Sequence, residues 1–346
     1  MTRHASTDRP RWRGLTRGYA VDGYAGFRVL VLGASGFVGR HVAHAAYQAG
    51  CELVLAVQDP GRAKAALGPL GVRGERQVVD LTDPGQIDGL IAAVTPDVVF
   101  NLAGYGVEPA QDDPDELRLI NAELPLRVLG ALGRHVRDSD WPGQRLVHAG
   151  SAFEYGAVGG PLTEDGPVSP TSDYARSKLE GTLRTTIGAE QLELLAVVAR
   201  LFTVYGPGEP SQRLLPSLLD AAQTGQSLAL TAGDQRRDFT YVQDVAAGLL
   251  RLGRTEADQA GVVNLASGRL TPVRVFAERA AGVLGIPADR LGFGERPGRS
   301  DEMRHDPVTI ARLQEVTGWR PPTGIERGVG LTLQFSSSSE RGSPGR

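Results

Sequence analysis

Apolar runs and amphipathic stretches alternate from residue 27 to residue 201. Strand-like runs fall at 27–32, 53–57, 77–80, 97–102, 145–149 and 194–201. Between them, residues 37–49, 87–94, 115–137 and 172–189 carry apolar positions at helical spacing. Gly50, just past the first helix, is a stop signal. The strands are continuously apolar rather than alternating, which predicts burial on both faces. Strands separated by helices predict a parallel sheet covered on both sides, an α/β, Rossmann-like doubly wound fold. After Tyr205 the rhythm loosens, Pro and Gly multiply, and only 262–265 reads as a further strand. The pattern predicts a main domain over 27–205, to which segments at about 237–266 return, and a smaller C-terminal α/β lobe over 206–236 and 267–335. Residues 1–26 hold Arg3, Arg9, Arg11, Arg13 and Arg17 without apolar periodicity and read as a disordered basic tail. Residues 336–346, rich in Ser and Gly, read as a second tail.

Composition removes several classes. The 346 residues suffice for a large core, and 41% are hydrophobic. No run approaches the ~18 apolar residues of a membrane span. The net charge of −3 argues against a nucleic-acid binder. Cys51 is the single cysteine, so no internal disulfide can form, and no metal site is expected. His41 and His44 read as helix-face residues and His148 as a packing residue. These counts predict a cytoplasmic enzyme. Of 37 basic residues only Lys64 and Lys178 are lysine, which singles out both.

The first strand ends in Gly33-Ala34-Ser35-Gly36-Phe37-Val38-Gly39, a G-x-x-G-x-x-G turn opening the first helix. Gly33 permits the tight turn. Gly36 lets backbone N–H groups approach a pyrophosphate, and Gly39 lets helix and strand pack closely. Gly33, Ser35, Gly36, Phe37, Val38 and Gly39 are therefore candidate cofactor-binding residues. Tyr174-Ala175-Arg176-Ser177-Lys178 is Y-x-x-x-K on a helix, which puts phenol and ammonium on one face. A cation there is expected to lower the phenol's pKa and make Tyr174 a general acid/base. Ser151 ends the fifth strand, where its hydroxyl and Tyr174 can together hold a substrate oxygen.

These motifs, in this order, resemble the extended short-chain dehydrogenase/reductases, in particular the nucleotide-sugar epimerase/dehydratase/reductase group. The resemblance covers about residues 27–335. It adds Asp80-Leu81 as the adenine contact and Asn101-Leu102-Ala103-Gly104 as the cofactor-lining motif, so Asp80, Leu81, Leu102, Ala103 and Gly104 join the cofactor candidates. It also implies that Tyr174 and Lys178 touch the cofactor, Lys178 at the cofactor's ribose. Asn121, the run Arg200–Gly208 in R-x-F-x-x-Y-G-P-G form, R-D-F-x-Y-V-x-D-V at 237–245, N-x-x-S-G at 264–268, R-P-G at 296–298 and G-W-x-P at 318–321 extend it. The resemblance implies that Arg237 and Arg296 meet a sugar nucleotide's diphosphate, and that Ser151, Ala152 and Thr203 line the substrate site. It also implies a homodimer through helices near 115–137 and 172–189.

The run Ser151-Ala152-Phe153-Glu154-Tyr155-Gly156 separates the reactions of this group. It resembles the 4-ketoreductases of nucleotide-linked 4-keto-6-deoxyhexoses. Ala152 and Phe153 stand where dehydratases of the group carry an Asp and a Glu. At the end of the second strand Val57 replaces the acidic residue that binds an NAD ribose; Gln58, Arg62 and Lys64 follow. This favours NADP. Asp59 offers the alternative, a ribose ligand for NAD. The expected activity is an NAD(P)H-dependent 4-ketoreductase. The alternatives are an NDP-sugar 4-epimerase with tightly bound NAD and a non-catalytic dinucleotide sensor.

Overall fold

The computed structural model describes residues 19–107, 110–135, 139–256, 261–298 and 307–340. The first half runs β1 (Arg28–Leu32), α1 (Phe37–Gln48), β2 (Glu52–Val57), α2 (Pro60–Leu67), β3 (Glu75–Val78), α3 (Pro84–Val94) and β4 (Val98–Asn101). It continues through α4 (Pro114–Glu116), a π-helical stretch (Leu117–Glu123), α5 (Leu124–Arg134), β5 (Leu146–Ser151), α6 (Asp173–Gln191) and β6 (Ala196–Leu201). The second half holds β7 (Thr203–Tyr205), α7 (Leu214–Thr224), β8 (Leu228–Leu230), β9 (Arg236–Tyr241), α8 (Val242–Gly253) and β10 (Val262–Leu265). It ends with β11 (Leu270–Pro272), α9 (Val273–Leu284), β12 (Leu291–Phe293), α10 (Ala311–Thr317) and α11 (Ile325–Glu340).

Seven strands form one parallel sheet in the order β3-β2-β1-β4-β5-β6-β10. Alternate residues of β1 feed separate cores. Val29 and Val31 join the layer of α1 and α8; Leu30 and Leu32 join the layer of α3 and α5. Period-two side chains on an apolar strand need a hydrophobic layer on each face, so the sheet is doubly wound. The strand order reverses between β1 and β4. Ligands of open α/β sheets bind in the crevice at such a reversal, outside the carboxyl ends of the strands.

Several expectations need correction. Residues 19–26 are not a tail: Tyr19, Val21 and Tyr24 are buried. The Tyr24 hydroxyl donates to Leu250 O at 2.6 Å, and its ring sits 5.2 Å from that of Trp141. Aromatic residues too sparse for periodicity still fill gaps in a core. Residues 1–18 of the expected tail lie outside the described residues. The expected tail from 336 is helical to Glu340 as the end of α11; 341–346 lie outside the described residues. The stretch read as one helix over 115–137 is α4, a π-helical turn and α5, because Pro125 opens α5 without an N–H to donate. Of the segments near 237–266, only α8 and β10 return to the main body. β9 pairs with β7 and β11 in a separate three-stranded sheet, and β8 pairs with β12.

Candidate functional site

The Gly33–Gly39 turn lies at the strand-order reversal. Gly33 has φ +72°, and a methyl there would meet Ala103 N at 2.8 Å. A methyl on Gly39 would lie 2.1 Å from Gly33 O. Gly36 is the N-cap of α1 and offers no side-chain cap. The first N–H groups of a twelve-residue helix are thus left facing the crevice, which fits a pyrophosphate. Ser35 is half-buried, and Phe37 and Val38 pack against the core from the same turn. Leu102 and Ala103 pack just after β4, and Gly104 is exposed beside the Asn121 amide. Asn121, on the π-helical turn, accepts from Tyr105 N at 3.0 Å and donates to Tyr105 O and the Ser177 hydroxyl. It ties the loop after β4 to α6.

Ser151, Tyr174 and Lys178 come together at the carboxyl end of β5. The Ser151 side chain acts on the Tyr174 phenol and pulls its pKa down. Ser172 caps α6 through Ala175 N, which fixes the first turn that carries Tyr174. Lys178 is buried, and its Nζ donates to Ala149 O at 2.5 Å. Burial brings its pKa down to about 8, against an opposing pull from Glu154. The expectation that Lys178 lowers the Tyr174 pKa is not met in this structure. Burial raises it, the Ser151 hydrogen bond works against that rise, and Glu154 adds to it. The lysine is turned onto the Ala149 carbonyl, and its charge is felt at His148, whose pKa burial and Lys178 together lower.

Two residues of the candidate site carry no expectation from the motifs. Glu154 is fully buried; its Oε1 accepts from Ser151 N at 2.7 Å, and its Oε2 accepts from Thr182 and from Arg200 Nε at 2.8 Å. Ser151 and Glu154 form a reciprocal capping box. The S-x-x-E spacing was the sequence signal for it. Arg213 is the second: its positive charge reaches Tyr174, and it pairs with Glu209 at 3.9 Å. It has no motif that would have marked it.

The cofactor edge is more open. Asp80 is exposed, and its carboxylate accepts from Thr82 N and the Thr82 hydroxyl in a local turn; Leu81 packs inward. After β2, Gln58 is exposed, and Asp59 caps α2 by accepting from Gly61 N at 2.7 Å and Arg62 N at 3.2 Å. Pro60 and Gly61 begin α2, because Pro fits a first helical turn. Arg62 is exposed. Among the expected substrate residues, Ala152 is buried beside Ser151, and Thr203 opens β7 directly after β6. Arg237 lies on β9; Arg296 follows β12, its N–H bonded to Leu230 O at 3.0 Å.

Residues 29–266 match the model of the NAD dependent epimerase/dehydratase family. A dTDP-6-deoxy-L-talose 4-dehydrogenase (NAD(P)(+)) of Kitasatospora kifunensis is 28% identical over 87% of this chain and 93% of its own. A UDP-glucose 4-epimerase of Mycolicibacterium smegmatis is also 28% identical, over 89% of this chain and 98% of its own. Among solved structures, MoeE5 in complex with UDP-glucose and NAD is 25% identical with a TM-score of 0.76, covering 90% of this chain and 99% of its own.

Proposed function

From the premise that this chain belongs to the NAD dependent epimerase/dehydratase family, and is an enzyme of the extended short-chain dehydrogenase/reductase type, we propose that it is an NADPH-dependent 4-ketoreductase of a nucleotide-linked 4-keto-6-deoxyhexose. The observation that carries this reading is the convergence of Ser151 and Tyr174 with a raised Tyr174 pKa. A phenol that keeps its proton at neutral pH suits a general acid that protonates a carbonyl oxygen as it becomes an alkoxide. Ser151 would hold that oxygen by hydrogen bonding, and Lys178 would hold the ribose. NADPH, when bound, supplies the hydride. Elimination of water needs a further acid and base, and the run after Ser151 supplies none. Ala152 is apolar, Phe153 stacks edge-on to Tyr174 at 5.9 Å, and Glu154 is ion-paired with Arg200. The names of the talose dehydrogenase and of the MoeE5 complex support a nucleotide-sugar substrate. Arg213, Arg237 and Arg296 are the cations proposed to meet its phosphates.

The epimerase of similar identity keeps a second reading open, a 4-epimerase on the same residues. The test is direct. A reductase consumes NADPH against a dTDP-4-keto-6-deoxyhexose. An epimerase interconverts a nucleotide hexose without added cofactor. Activity of the second kind, or of neither, overturns the proposal. We also propose a homodimer through α6, which leaves Leu183 and Ile187 about half exposed at i, i+4 spacing. Sedimentation of wild type and Leu183→Glu checks this; a wild-type monomer refutes it.

A further inference from the structure

We infer that Glu154 is a positioning residue of the reaction: one buried carboxylate locks Ser151, at the end of β5, to α6, which carries Tyr174 and Lys178. The inference rests on the reading of Ser151 and Tyr174 as the reacting pair, and it holds for a reductase and an epimerase alike.

Three elements meet on this side chain. Its Oε1 accepts from Ser151 N at 2.7 Å. Its Oε2 accepts from the Thr182 hydroxyl at 2.9 Å and from Arg200 Nε at 2.8 Å. Ser151 closes β5, Thr182 lies on α6 one turn beyond Lys178, and Arg200 lies on β6. The Ser151 hydroxyl accepts from Phe153 N at 3.2 Å within the same short turn, Ala152–Glu154. Backbone and hydroxyl of Ser151 are thus both fixed by the turn that Glu154 ends. Gly150 makes room for the carboxylate, since a methyl there would lie 2.8 Å from Glu154 Oε1.

A buried ion pair is a weak way to hold a fold, because apolar side chains filling the same space often serve as well. Apolar side chains cannot accept from a strand end and from a helix at once. A carboxylate can, having two oxygens and about four lone-pair sites. Arg200 keeps it from swinging away. The Arg200 Nη1 donates to Glu164 O at 3.3 Å, and its guanidinium sits 4.5 Å over the Tyr155 ring. The Tyr155 hydroxyl donates to Asn264 Oδ1 at 2.7 Å, which carries the tie on to β10. The charge acts on the reacting groups as well. Burial raises the Tyr174 pKa and Glu154 adds to the rise, against Ser151 and Arg213. Burial lowers the Lys178 pKa and Glu154 opposes the fall. His148, on β5, feels the Lys178 charge in turn. Glu154 therefore helps keep a proton on both α6 groups.

The test follows kcat, KM and cofactor affinity of Glu154→Gln in whichever of the two reactions wild type catalyses. Glutamine keeps a carbonyl oxygen for Ser151 N and loses the charge. Turnover should fall ~10–100-fold, the scale of a small misplacement of reacting groups, with cofactor affinity within about twofold of wild type. The pH profile of kcat should move to lower pH, because Tyr174 and Lys178 release their protons more readily without the carboxylate. Thr182→Val keeps both charges and cuts only the tie to α6. It should lower kcat at least ~3-fold with the profile in place, and it serves if the Gln variant does not fold. A kcat within about twofold of wild type in these variants overturns the inference and leaves the reaction assignment standing. So does an equal loss in kcat and cofactor affinity with an unmoved profile, because Glu154 then only supports the fold. A wild type that catalyses neither reaction overturns both.

Discussion

The reacting centre and the cofactor edge are built on opposite plans. Around Tyr174, the supporting polar groups are enclosed and mutually bonded. Glu154 alone joins the Ser151 backbone, Thr182 and Arg200, with ion-pair side chains only 0–4% exposed. At the end of β2, Gln58, Asp59 and Arg62 are exposed, and the Arg62 side chain has no bonded partner among the described residues. A buried network allows one arrangement, because each unpaired member is expensive. An exposed edge changes at small cost. The proposed chemistry is thus locked into the core, while the proposed choice of cofactor would rest on side chains that can be exchanged without disturbing the fold.

The comparison breaks if the locked region proves tolerant. Tyr174→Phe should lower turnover by two to four orders of magnitude, roughly what a general acid contributes. Cofactor affinity and melting temperature should stay near wild type, because only a hydroxyl is lost. Turnover within tenfold of wild type takes Tyr174 out of the mechanism. Glu154→Ala should destabilise the fold by about 3–5 kcal/mol, since it strands Arg200 as an unpaired buried charge. Urea unfolding measures this, and a loss under about 1 kcal/mol would mean that water or a neighbour rescues the arginine.

Where the chain repeats a short physical pattern, the fold was open to reading. β1, β2, β4, β5 and β6 all fall within a few residues of their apolar runs, and the turn at Gly33–Gly39 follows β1 as its spacing requires. What stayed hidden depends on partners far away in sequence. Tyr19 shows nothing by itself, but its hydroxyl meets Thr323, 304 residues on, and Thr323 in turn donates to Asp244. Arg213 carries no local signal because its relation to Tyr174 is made by the arrival of α7. Lys178 was marked by its rarity and its spacing. Its orientation was not, since that follows from the Ala149 carbonyl, which no side-chain pattern records.

The N-terminal segment gives the next expected effect. Tyr24→Ala removes a fully buried ring and its bond to Leu250 O, and should cost about 3 kcal/mol, as large aromatic truncations do. An unchanged melting temperature would return residues 19–26 to the status of a tail. Lys178 supplies a pH-dependent effect. Its pKa is about 8 in the fold against an ordinary 10.5. Between those values the unfolded chain binds the extra proton, so stability rises with pH across the window, and the penalty is fully present below pH 8. Lys178→Met should therefore be more stable than wild type at pH 7, and the gap should shrink by pH 9.5. Urea midpoints at the two pH values check it, and a constant gap contradicts the shift.

The smallest expected effect sharpens the comparison most. Arg62→Ala should leave the urea midpoint unchanged, because an exposed side chain without a bonded partner stabilises nothing measurable. It should nonetheless erase most of a ~10-fold preference for NADPH over NADH, about 1.4 kcal/mol, with NADH affinity unaltered. An exposed contact is also screened, so the wild-type preference should fall as ionic strength rises toward 0.5 M, where the screening length is only a few ångströms. Titration of both cofactors against wild type and variant at two salt concentrations reads all of this. If NADH binds better in wild type, Asp59 holds the ribose despite its cap on α2, and the 4-epimerase reading gains. If NADPH is preferred but the preference ignores salt, the phosphate contact is buried, and the edge of the site is less exchangeable than its exposure implies.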